Sequence, residues 1–177
     1  MFRKILVALD QGDTCAALFE KAATLAETTG ADLMLLSVLV PADDSSLTMP
    51  AYSGLGYYSM GFDDSIWDVY QERYQEQETK GLHRLRGFTQ QATEAGVSTE
   101  FTQVAGSPGR AICNLAKSWE ADLVMVGSHG RTGLSEALLG SVSNYVMHHA
   151  PCSVLVVHEP TTTGDMTEAA DLTAAAG

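Results

Sequence analysis

Residues 122–157 read DLVMVGSHGRTGLSEALLGSVSNYVMHHAPCSVLVV, and their pattern decides the fold. Leu123-Val124-Met125-Val126 and Val154-Leu155-Val156-Val157 are short apolar runs with no polar alternation. Strands of that kind are covered on both faces, which is the condition of a parallel sheet. Between them Ser141 to Ala150 reads as a helix, closed by Pro151. The segment ahead of that helix is unusual. Glycines stand at 127, 130, 133 and 140, with Ser128, Thr132, Ser135, Ser141 and Ser143 among them.

The same alternation extends back to the N-terminus. Ile5-Leu6-Val7-Ala8-Leu9 is a continuous apolar run stopped by the turn Asp10-Gln11-Gly12-Asp13. Thr14 to Thr29 carries Ala17, Leu18, Ala22, Leu25 and Ala26 at helical spacing, with Asp13 or Thr14 as N-cap and Gly30 as stop. Leu33 to Val40 is a second buried strand, ended by Pro41. Residues 41–64 are rich in Gly, Tyr and Asp and read as a long surface loop, a length typical of functional or disordered segments. A helix follows from Ser65 to Gly96, in which Gly81 and Gly87 point to a bend. Val97 to Val104 alternates, as a strand near a sheet edge does, and Ser107 with Pro108 opens a helix over Arg110–Trp119. The segment from Pro160 to Gly177 holds few large apolar residues and reads as a disordered acidic tail. This order implies the α/β class: one doubly wound domain over 1–158, a five-stranded parallel sheet with helices on both faces, then the tail 159–177.

Composition narrows the function. Of 177 residues, 45% are apolar and 18% charged, as in a globular domain. Ten Lys+Arg against 22 Asp+Glu give a net charge of −12, which disfavours nucleic acid and anionic membranes as partners. Cys15, Cys113 and Cys152 form no C-x-x-C pair, so a disulfide framework or zinc knuckle is not indicated and a reducing cytoplasm fits best. The N-terminal apolar run is too short for a signal-peptide core, and no run approaches a membrane span.

In open parallel sheets ligands bind beyond the carboxyl ends of the strands, where the strand order reverses. Two strand ends carry unusual residues here: Asp10-Gln11-Gly12, and the glycine-rich stretch 127–140. Glycine lets backbone approach a ligand closely, consecutive N–H groups cradle anionic oxygens, and a helix N-terminus adds its dipole. Single glycines of this stretch are accounted for by turns. The whole spacing, after a buried strand and before a helix start, favours a phosphate site in which Arg131 is the one cation. The P-loop pattern and G-x-S-x-G are absent. His129 within the stretch reads as a solvated side chain, with a phosphate contact or base as the sharper reading. His148 and His149 complement the C-terminal dipole of the last helix.

Gly127-Ser128-His129-Gly130, followed by nine residues and then Gly140-Ser141, matches G-x2-G-x9-G-[S/T]. With Ile5 to Asp10 and Gly106-Ser107-Pro108, this makes the chain resemble the ATP-binding branch of the universal stress protein family over about residues 1–158. The resemblance implies the strand order 3-2-1-4-5, with Asp10 and Gly127 flanking one crevice. It implies that Asp10 and the backbone around Val38 read adenine, that Ala8 and Leu9 line that pocket, and that Gly127 meets the ribose. Gly130, Gly140, Ser141, Val142 and Ser143 hold the phosphates, with Arg131 beside them, and magnesium or manganese bridges those phosphates. Many members carry a small hydroxyl residue two places after the first-strand aspartate, where this chain has Gly12. The resemblance further implies a homodimer through the last strand, Ser153–Val157.

Two classes of function fit. One is a stress-response regulatory module whose ATP occupancy controls shape or partner binding. The other is a slow ATPase or phosphotransferase, for which the stretch offers only Arg131 as a cation and His129 or Glu136 as a base. A receptor for a cyclic nucleotide or dinucleotide uses the same crevice. Neither composition nor motif decides which nucleotide is physiological.

Overall fold

Five apolar segments and four helical ones alternate along the chain. The computed structural model describes residues 1–10, 12, 15–40, 64–128 and 139–158, with side chains of the second helix from Gln71 onward. In chain order the elements are β1 (Lys4–Leu9), α1 (Cys15–Thr29), β2 (Asp32–Leu39), α2 (Asp64–Glu94), β3 (Thr99–Ala105), α3 (Pro108–Ser118), β4 (Leu123–Gly127), α4 (Ser141–His149) and β5 (Ser153–Val157). The strands form one parallel sheet in the order β3-β2-β1-β4-β5. This is the expected fold class and strand order. The expected loop over 41–63 and tail over 159–177 lie outside the described residues.

The two faces of the sheet are covered by different helices. Ile5, Val7, Leu9, Leu33, Leu35, Leu123 and Met125 bury one face against Leu18, Phe19, Ala22 and Ala26 of α1 and Leu85 and Ala92 of α2. The Phe19 and Phe88 rings stack across α1 and α2 with centroids 4.3 Å apart. Leu6, Met34, Leu36, Val124 and Val126 bury the opposite face against Ile112 and Ala116 of α3 and Val146 of α4. The split follows from right-handed crossovers: connections running toward β3 lie on one face, and those running back toward β5 lie on the other. The central strands β1, β2 and β4 are buried on both sides, which is why they read as continuous apolar runs. β3 is half-exposed, as its alternation predicts.

Helix ends follow local chemistry. Gly30 at φ +67° closes α1, with Ala31 N–H donating to Ala26 O at 3.0 Å; Gly96 at φ +84° closes α2, with Val97 N–H donating to Ala92 O at 2.9 Å. Ser107 occupies the N-cap of α3 and Pro108 its first turn, but the Ser107 side chain makes no capping bond. That helix runs Pro108–Ser118, so it begins at the Pro108 that the start signal marks, two residues ahead of Arg110, and ends one residue before Trp119.

Two glycines serve packing between elements. α2 runs through Gly81 and Gly87 without a break. Gly81 is buried where a Cβ would collide with the Gln103 side chain of β3, so its role is close approach of helix to sheet. A Cβ at Gly109 would lie 2.6 Å from the Tyr145 ring, so Gly109 sets the approach of α3 to α4.

Candidate functional site at the carboxyl ends of the first and fourth strands

β1 connects onward to β2 on one side, while β4 lies on its other side, so the strand order reverses between β1 and β4. A crevice forms at such a point because the two connections leave in opposite directions. Ala8 pairs in register with Val126 of β4 and with Leu36 of β2. Asp10 therefore emerges next to Gly127, the last residue of β4, with Val38 near the end of β2.

Side-chain alternation sorts these residues by face. Ala8 and Val38 pack on the side of α3 and α4. Leu9 is buried on the opposite side, against α1 and α2. Successive residues of a strand point to opposite faces, so Ala8 and Leu9 cannot both present side chains to one pocket. Leu9 contributes backbone there, and its side chain belongs to the core. Asp10 is exposed, and its Oδ1 accepts the Gly12 N–H at 3.1 Å. A Cβ at Gly12 would sit 3.1 Å from Asp10 Oδ2. Backbone at Gly12 thus lies directly against the carboxylate.

The fourth strand end is tied to the last helix by a compact set of bonds. Ser128 N–H donates to Val157 O at 3.0 Å, which carries the chain one residue beyond β4 along β5. Gly140 N–H donates to Ser128 O at 2.7 Å, which brings the start of α4 against the end of β4. The buried Ser143 hydroxyl lies 3.2 Å from Ser128 O and 2.9 Å from Gly140 O, and donates inward to them. Ser143 thereby fastens the start of α4 to the end of β4, and its side-chain proton is committed there. What it offers a ligand is its backbone N–H. The first bond of α4 runs from Asn144 N–H to Gly140 O at 2.9 Å. The N–H groups of Ser141, Val142 and Ser143 precede it and have no partner within the helix. Gly140 at the N-cap makes no side-chain capping bond, and Ser141 is exposed.

The described residues therefore bring Ala8, Asp10, Val38, Gly127, Gly140, Ser141 and Val142 to the carboxyl end of the sheet. Gly130 and Arg131 lie outside the described residues, as do His129 and Glu136. One neighbour of the site is absent from the sequence reading. Arg84 of α2 places Nη1 3.4 Å from Asp10 O and 3.4 Å from Cys15 Sγ, spanning the turn that follows β1. A signal for it exists: Gly81, Leu85, Phe88 and Ala92 form the inward stripe of α2, and Arg84 stands at the i+3 position of that stripe. None of the three cysteines is in a disulfide. Burial pushes the Cys113 and Cys152 thiols above the ordinary range, so neither is an activated nucleophile. Among the described residues no helix is long and apolar enough to cross a membrane.

Comparison with known proteins agrees with this fold. Residues 1–158 match the sequence pattern of the universal stress protein family. A universal stress protein of Synechocystis is 39% identical over 157 residues, covering 88% of this chain and 97% of that protein. The solved structure of universal stress protein UspA from Lactobacillus plantarum superposes with a TM-score of 0.69 at 24% identity, covering 88% of this chain and 97% of that one. A universal stress protein family structure from Arabidopsis thaliana with AMP bound gives a TM-score of 0.60 at 23% identity, covering 90% and 93%.

Proposed function

The chain belongs to the universal stress protein family, and on that premise we propose that it is an ATP-binding stress-response regulator whose nucleotide occupancy controls its shape or its partners. The observation that carries this reading is the junction of Ser128, Gly140 and Ser143. It supports the reading because it fixes the start of α4, whose first N–H groups, at Ser141, Val142 and Ser143, have no partner within the helix, at the strand end near Asp10 and Val38. Fixed amide donors at a helix N-terminus suit phosphate oxygens, which are charged acceptors. The AMP held by the Arabidopsis relative supports an adenine nucleotide as the class of ligand.

In this reading Asp10 accepts from the adenine, the backbone around Val38 pairs with its edge, and Ala8 and the Leu9 backbone floor the pocket. Gly127 lets the ribose approach. Gly130, Gly140, Ser141, Val142 and Ser143 hold the phosphates through N–H groups, with Arg131 nearby. Magnesium or manganese would neutralise phosphate charge, and such ions take ligands largely from phosphate and water; no residue of this chain is assigned to the ion. The nucleotide-binding domain spans 1–158, and 159–177 is an acidic tail. The reducing cytoplasm is the compartment that three cysteines outside any disulfide suit. Hydrolysis is at most weak, because phosphoryl transfer needs an oriented nucleophile and dense positive charge.

Calorimetric titration with ATP and Mg2+ tests the assignment. Gly140→Val abolishes binding in this account, because a branched side chain enters the phosphate position and disturbs the turn from Ser128. Wild-type heats from the folded variant contradict it.

A further inference from the structure

The turn Gly106-Ser107-Pro108-Gly109 opens α3, and its last residue seats a side chain from α4. Gly109 is buried, and a Cβ there would stand 2.6, 2.9 and 3.1 Å from Cδ1, Cγ and Cβ of Tyr145. Those atoms are the base of the side chain and not its far end, so a movement of the tip does not clear them. Either the whole ring moves or the helix that carries it does. The ring is also stacked on His149, with centroids 4.0 Å apart and planes within 8°, and His149 Nδ1 lies 2.8 Å from Tyr145 O. Turning Tyr145 away from Gly109 gives up that stack.

Crowding at this contact falls on α4. α4 has nine residues, of which Ser143 and Val146 are buried, whereas α3 has eleven and buries Gly109, Ile112 and Ala116. Tyr145 follows Ser141 by four residues, so it lies about 6 Å further along the axis on the same face of the helix. Ser143 stands about 200° around the helix from Tyr145 and bonds to Ser128 O and Gly140 O. α4 is thus held from two sides, toward β4 by Ser143 and toward α3 by Tyr145. A helix fastened at one point still pivots there. A second contact on another face fixes its axis, and with it the direction of its first N–H groups.

We propose that Tyr145, seated on Gly109, is a positioning residue for phosphate binding, which sets the angle at which α4 presents the N–H groups of Ser141, Val142 and Ser143. The proposal rests on the nucleotide reading above. It gives the glycine that ends the turn into α3 a purpose at the site: a side chain at 109 tilts α4 off the phosphates.

Two measurements on the folded, full-length protein test it. The first needs no ligand: one-bond N–H residual dipolar couplings of the 15N-labelled protein in a dilute aligned medium. Gly109→Ala changes the couplings of Ser141, Val142 and Ser143 together and leaves those of β1 and β4 unchanged. The second is calorimetric titration with ATP and Mg2+ and, separately, with adenosine, which has no phosphate for the amides to meet. Gly109→Ala weakens ATP by about tenfold or more and adenosine by less than about twofold. A general loss of stability weakens both alike. In a Tyr145→Ala background the added Gly109→Ala changes ATP affinity by less than about twofold, because the ring it strikes is gone. Tyr145→Phe keeps the ring and binds ATP as the wild type does, while Tyr145→Ala binds it more weakly; this pair carries the test should Gly109→Ala fail to fold. Unchanged couplings in Gly109→Ala, equal losses for ATP and adenosine, a Gly109→Ala penalty that persists without the ring, or equal ATP affinity in Tyr145→Ala and Tyr145→Phe each overturn the proposal and leave the nucleotide reading standing. A wild type that binds no ATP overturns both.

Discussion

Two residues show how a position takes its character from one bond or one torsion. Glu120 follows α3 with φ at +57°, a left-handed conformation that costs an L-residue with a side chain roughly 1–2 kcal/mol. The Ala121 N–H bond to Ala116 O, 2.9 Å, holds it there. Glu120→Gly relieves the strain and, after the extra unfolded-state entropy of glycine, stabilises the protein by about 0.5–1 kcal/mol, or about 1–4 °C in Tm. An unchanged or lowered Tm in differential scanning calorimetry contradicts this. Asp122 at the start of β4 accepts the Arg3 N–H at 2.8 Å and the Lys4 N–H at 3.0 Å. The Arg3 amide, and after it that of Lys4, lowers its pKa below the ordinary carboxylate value despite some desolvation. A folded-state pKa below the unfolded one contributes stability above about pH 4 and loses it as the pH falls through the folded value. Asp122→Asn should therefore unfold at lower urea than wild type at pH 7, and the gap should narrow as the pH falls through the folded value. A gap independent of pH assigns the bond a purely neutral character.

At the scale of elements, β5 is the one to examine. Among the described residues it pairs only with β4, which makes it an edge strand of the sheet. Val154 and Val156 lean on the core formed with α3 and α4, while Leu155 points outward and is 42% exposed. An apolar parallel edge of this kind invites a second copy. In the proposed homodimer through Ser153–Val157, Leu155→Glu places a charge in the contact and shifts the mass measured by light scattering from dimer to monomer. A wild-type monomer at tens of micromolar removes the edge from consideration. The α4 junction works at the same scale. Its bonds are between neighbouring elements, so the orientation of three amides depends on the packing of α4 against β4 rather than on the ligand.

Over the whole molecule the charge of −12 opposes an anionic ligand. Long-range attraction therefore contributes nothing favourable to nucleotide binding, and the work falls to contacts at short range. Charge-assisted hydrogen bonds from fixed amides contribute about 1.5–3 kcal/mol each, whereas a solvated arginine contributes about 0–1 kcal/mol. Arg131→Ala should weaken ATP less than tenfold, under about 1.4 kcal/mol. Removing the divalent cation with a chelator should weaken it more. The reverse order makes Arg131 a phosphate clamp and strengthens the case for phosphoryl transfer.

Sequence alone determined the fold. Continuous apolar runs at β1, β2 and β4 mark strands buried on both faces, the alternating run at β3 marks an edge, and Gly30 and Gly96 mark helix ends because positive φ suits glycine. These signals are local, carried by period and backbone preference. The adjacency of β1 and β4, which sets the place of the candidate crevice, was expected too, from the strand order that the family resemblance implies. Tertiary structure decided what depends on distance across elements. It turned Leu9 into the core and left Ala8 on the other face. It committed the Ser143 hydroxyl to Ser128 and Gly140, and it made Gly81 a packing position against Gln103 instead of a bend. It brought Arg84 to the carbonyl of Asp10, 74 residues earlier in the chain. No local pattern encodes such a meeting, because it arises only when α2 closes over the ends of strands formed elsewhere in the sequence.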